Sequence, residues 1–205
     1  MSSKMQILFV KQTGHVLAAF TRTADPEGKP SIEALAGDGL IFRNRKIPTA
    51  TSMEGETFLI APEMLDLAVV DFNTKVFVSP LDFAAGGGKA EPLGSLTPTT
   101  VALAQDKLKI SVGTPIVGDL KVWAQVVEVT TGGDSKPVTR VMEGKIEKSP
   151  PPTPPPPPPG TVELLLTITP GGTVASIPAN ARYYVMALVE GQSPVLKTEI
   201  LGILP

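Results

Sequence analysis

The chain has 205 residues, 42% of them hydrophobic, with a formal net charge of −2, 22 prolines, 19 glycines and no cysteine. That apolar share is ample for a core, so the chain is not disordered as a whole. The missing cysteine excludes disulfides, zinc–thiolate sites, iron–sulfur clusters and thiol nucleophiles, and the scattered, nearly balanced charge disfavours nucleic-acid binding.

Residues 5–10 are apolar, 11–14 supply a turn and 16–20 return, which reads as a hairpin. The first apolar run is broken by Lys11 and Gln12, too soon for the core of an export signal. No apolar run approaches the roughly 20 residues that span a bilayer. Residues 31–36 suit a short helix, with Ser31 as its N-cap and Gly37 just past its end. Residues 62–67 could start another, with Pro62 in the favoured first position.

The stretch 66–72 carries Leu67, Val69 and Val70 and reads as a strand. A turn at Asn73-Thr74-Lys75 then returns the chain as a second strand, Val76-Phe77-Val78. Val101 and Leu103 alternate with smaller residues. Further on, Leu108, Ile110 and Val112 alternate with Lys109 and Ser111, the period-2 pattern of a half-buried strand. Residues 121–131 are the longest β-branched stretch; they end at Gly132-Gly133-Asp134, and 138–146 can pair back with them.

Residues 149–160 hold nine prolines around Thr153. Consecutive prolines lack the N–H and the φ freedom that helices and central strands require. They form polyproline II instead, here a strut of roughly 30 Å. Beyond it, 161–169 reads as a strand, 183–189 as a strong strand and 195–204 as its return. So short a piece, with no disulfide or metal to staple it, is expected to pack on another surface rather than fold alone. A faint repeat relates the segments beginning at His15, Lys121 and Tyr183, each a strand, a Gly-containing turn, a proline and a second strand; three related β units are one reading, and the chance likeness of any two hairpins is the better one.

Short links between strands favour antiparallel pairing over a parallel sheet with long crossovers. The expected fold is therefore mainly β: an antiparallel sandwich or barrel over residues 1–148, a polyproline II linker over 149–160, and a small β segment or arm over 161–205 that packs on the body or on a partner.

Chemistry is scarce. His15 is the only histidine and stands beside Gly14 in the apparent first turn, where the expectation is a solvated, non-catalytic side chain. Asp66, Asp71 and Asp82 could converge as paired acids, but no calcium-loop spacing accompanies them. Gly86-Gly87-Gly88-Lys89 lacks the leading glycine and the following Ser or Thr of a phosphate loop and reads as a flexible loop. Trp123, in register with Lys121 and Gln125, is a candidate interaction residue, as are Arg182, Tyr183 and Tyr184 at a strand start, since interfaces favour Trp, Tyr and Arg. Pro151 and Pro154 complete a basic-x-x-P-x-x-P pattern opened by Lys148 and could meet an aromatic groove, although a spacer is the better reading.

These features lead to the expectation of a non-enzymatic structural or assembly protein, a subunit or accessory of a larger particle. Its arm would make contacts with other protein subunits, copies of itself included. No cofactor, metal, nucleic acid or membrane span is expected. The expected location is the cytoplasm, with release inside an assembled particle as a later stage. The alternative is a polymer- or carbohydrate-binding β module using exposed aromatics.

Overall fold

A computed structural model describes residues 4–21, 30–44, 56–95, 98–103, 107–112, 120–129, 139–146, 162–167 and 182–201. The proline run, with Pro151 and Pro154, lies outside them. The chain is mainly β. The described residues form antiparallel sheets and two helices of five residues each. No helix among the described residues is long and apolar enough to cross a membrane. The chain divides into two compact units, Met1–Gly94 and Ser95–Pro205, so the division falls well before the proline run.

Unit 1 is built on strands β1 (Lys4–Val10), β2 (Val16–Thr21) and β5 (Leu65–Asp71), in the order β2-β1-β5. The central β1 places Ile7 opposite Ala19 on one side and Ala68 on the other. Met5, Ile7, Leu8 and Val10 are all buried, so both faces of β1 are covered. Met5 and Ile7 join Val16, Val70, Val76 and Phe83 in one apolar cluster. Burying each such side chain contributes about 1.5–3 kcal/mol. The hairpin of β3 (Leu40–Asn44) and β4 (Glu56–Ile60) buries Phe58 and Ile60 and leaves Ile41 and Leu59, which are cross-strand partners, exposed.

Helix α1 (Ile32–Ala36) forms as its sequence signals indicate. The Ser31 hydroxyl accepts from the Ala34 amide at 3.1 Å, and Gly37 closes the end at φ +57°. Pro62–Met64 forms a single 3-10 turn rather than a longer helix. The return strand expected at 76–78 is instead helix α2 (Thr74–Val78). Thr and Val favour strands, but Asn73 Oδ1 accepts from the Lys75 amide at 3.0 Å, and Val76 is locked in the core. Cap and burial together outweigh local propensity.

The hairpin of β6 (Phe83–Gly86) and β7 (Lys89–Pro92) pairs Gly86 with Lys89, leaving Gly87 and Gly88 as a two-residue turn. Both have positive φ, +54° and +77°, the requirement of a type I′ turn. The glycine run is thus a specified turn rather than a flexible loop.

Unit 2 contains β8 (Pro98–Leu103), β9 (Lys107–Val112), β10 (Leu120–Val129), β11 (Thr139–Ile146), β12 (Val162–Thr167), β13 (Arg182–Val189) and β14 (Val195–Leu201). One sheet has the order β12-β9-β8 and the other β11-β10-β13-β14. Strand β12 runs antiparallel to β9, setting Val162, Leu164 and Leu166 opposite Val112, Ile110 and Leu108. Strand β13 runs antiparallel to β10, setting Val185, Ala187 and Val189 opposite Val126, Ala124 and Val122. Both apolar stripes after the proline run therefore share a sheet face with apolar residues that precede it. Strands that follow the proline run thus pair with strands that precede it. Of the three similar segments, two pair as β10-β11 and β13-β14, while in the one beginning at His15 helix α1 stands where a second strand was expected.

Candidate functional site

His15 is fully buried, not solvated. Gly14, at φ +76°, closes the β1–β2 turn, with its amide donating to the Val10 carbonyl at 2.8 Å. His15 follows in an isolated bridge to Ala84, and its Nδ1 lies 2.9 Å from Thr13 Oγ1. The Ala85 amide donates to the Gly14 carbonyl at 2.8 Å, tying the β6 hairpin to this turn. The turn is covered by a second hairpin, a tertiary contact that no local pattern announces. His15 is thereby a buried polar residue that contacts the Thr13 hydroxyl.

Trp123 and Tyr183 are also inside, with 0% and 1% exposure. The alternation that set Trp123 opposite Val122 and Ala124 carries information about exposure only when one sheet face is wet. Here Val122, Trp123, Ala124, Gln125 and Val126 are all buried, so both faces of β10 are covered. Trp123 stands opposite Leu188, and its indole Nε1 has no hydrogen-bond partner among the described residues. Tyr184 is half-buried opposite Val127, and Arg182 opens β13 opposite Val129. The structure gathers Trp123, Tyr183, Tyr184 and Arg182 on one pair of strands, with Trp123 and Tyr183 as framework.

The three acids do not form one cluster. Asp66 Oδ1 accepts from the Leu67 amide at 2.8 Å. Asp71 pairs with Lys4 at 2.6 Å, and both side chains are more than half exposed, so this bridge adds little stability. No group of three or more metal-ligating side chains occurs among the described residues.

Among the described residues, two grooves adjoin α2 of unit 1. A groove of about 490 Å³ is lined by Phe72, Lys75, Lys89 and Ala90 among others. A second, of about 420 Å³, is lined by Val78, Asp82, Pro92 and Leu93 among others. Thr74 and Lys75 belong to both, and β7 supplies a wall to each. The Phe72 and Phe77 rings pack at a centroid distance of 5.5 Å, tilted by 38°. Phe72 remains 42% exposed and Val78 78% exposed. Sequence reasoning missed this place because it read α2 as a strand. The one available signal was Asn73, a strong N-cap residue.

No protein-family model, curated protein or solved structure matches the chain.

Proposed function

We propose that this is a non-enzymatic structural protein, a subunit or accessory of a larger protein particle of the phage-tail-like or capsid-like kind. The supporting observation is where apolar surface is left in water. Leu35, Ile41, Leu59, Val69, Phe72 and Val78 of unit 1 are large apolar side chains left exposed among the described residues. Apolar surface left in water in this way fits a protein contact surface. The reading from sequence gave the contacts to the C-terminal arm. Pairing of β12 with β9 and β13 with β10 engages those strands within the chain, so our reading places the contact on the exposed apolar side chains of unit 1 instead of on an arm. Such a role suits a cytoplasmic protein that leaves the cell, if at all, within the particle.

For unit 2 we infer a β-sandwich of immunoglobulin-like connectivity. Its first, second and fifth strands form one sheet and its third, fourth, sixth and seventh the other. Strand β11 lies near β12 and β14 near β8, so the two sheets meet at both edges. A buried Trp on the third strand and a buried Tyr near the start of the sixth are hallmarks of that architecture, and Trp123 and Tyr183 occupy those positions. This is an inference about scaffold, since such sandwiches carry many functions.

The carbohydrate- or polymer-binding alternative drew on Trp123 and Tyr183 as exposed platforms, and their burial removes that support. The deciding measurement is the native mass of the protein in its source lysate. Migration in a megadalton complex is the expected result. A free monomer at every stage would reject assembly as the function.

A further inference from the structure

We propose that the paired grooves around α2 dock an extended segment of a partner protein in which a carboxylate side chain neighbours an apolar one. This deepens the assembly reading and rests on it for the partner's identity, though not for the chemistry of binding. The two grooves share a wall at Thr74 and Lys75 and follow β7, so together they offer a line of sites rather than one enclosed pocket. That shape suits an extended chain. The apolar anchors are Phe72 in the first groove and Val78, Pro92 and Leu93 in the second.

Charge selects the occupant. Lys75 and Lys89 line the first groove, and neither has an ion pair among the described residues. The acid beside them, Asp71, is already matched by Lys4 at 2.6 Å. The first groove therefore presents a net positive rim around an aromatic side chain, complementary to an acid next to an apolar residue. Asp82, in the second groove, disfavours a further acid there and sets the direction of the ligand. A second feature marks the same spot. The β-branched segment Thr74–Val78 is held as a helix against its local preference, and such conflicts concentrate at functional sites.

The test uses the full chain and two fluorescein-labelled synthetic peptides, one alternating Asp and Leu, the other alternating Lys and Leu. Anisotropy should show saturable binding of the acidic peptide only. Lys75→Glu with Lys89→Glu should weaken it at least about tenfold, as should Val78→Asp alone. All three side chains are exposed, so the fold should persist, with circular dichroism as the check. Equal binding of both peptides, or binding unchanged by the substitutions, overturns the proposal. So does a dimer of the unliganded protein that Val78→Asp disperses, because the occupant is then a second copy. Binding of the acidic peptide by a protein that is monomeric in lysate would retain the groove and reject assembly. A megadalton complex that keeps the Val78→Asp protein unchanged would do the reverse.

Discussion

Replacing Trp123 with Ala separates framework from ligand contact more sharply than any other change. The side chain is fully buried on a central strand, opposite Leu188. Truncating a buried Trp costs about 3–5 kcal/mol through lost transfer energy and the cavity left behind. Against a domain stability of about 5–15 kcal/mol, that is a large share. With a urea m-value of about 2 kcal/mol/M, the midpoint of the unit 2 transition should fall by roughly 2 M. Trp123→Phe should cost distinctly less. It keeps most of the apolar volume and removes an indole N–H that has no partner among the described residues, and an unsatisfied buried donor costs about 1–3 kcal/mol. Circular dichroism must follow the transition, since the substitution removes the sole tryptophan. In the parent protein, that tryptophan should resist acrylamide quenching. A Trp123→Ala protein within about 0.5 kcal/mol of the parent would mean a surface side chain and would refute the framework assignment.

His15→Ala should destabilise unit 1 by about 1–3 kcal/mol, because it deletes a buried ring and strands Thr13 Oγ1; an unchanged urea midpoint would return His15 to the surface. Gly88→Ala should cost about 1 kcal/mol from its φ of +77° alone, with open space around the new methyl group. Gly14→Ala should cost more in thermal melts, since the added Cβ would also sit 3.1 Å from the Ala85 carbonyl; the reverse order would contradict the turn packing. Ending the chain after Ser149 removes β12, β13 and β14 and should unfold unit 2, seen as increased binding of a hydrophobic dye; a cooperatively folded remainder would refute the cis pairing. The backbone amide of Glu33, and then the Ser31 hydroxyl, hold the Glu33 carboxyl below its usual 4.5, so the stabilisation of α1 is present above that pH and lost as the pH falls through the lowered value; an NMR midpoint at or above 4.5 would be inconsistent with this cap.

Legibility tracked how local each signal was. The antiparallel β character, the caps of α1 and the pairing of β10 with β11 all follow from residues close in sequence. The alternation in β9 correctly marked Leu108 and Ile110 as buried. Alternation failed on β10, because covering both faces erases the distinction it measures. It failed on α2 because Val76 is fixed by distant residues such as Met5, Ile7 and Val16, which no window around Val76 contains. His15 failed for the same reason, being covered by a hairpin some 70 residues away in sequence. The division between units was overshadowed by the proline run: Gly94-Ser95 carries only ordinary turn residues, while 149–160 announces itself through composition.

That displacement changes what the proline run is for. A spacer between two domains has different units on its two sides. Here β11 ends at Ile146 and β12 begins at Val162, and both belong to unit 2. The run therefore connects the fourth and fifth strands of one unit, passing from one sheet to the other. A long connection of this kind costs little to close, because loop entropy grows only with the logarithm of length. Proline lowers that cost further by restricting the unfolded chain. The run can thus be tolerated by the unit that carries it without setting any distance between subunits.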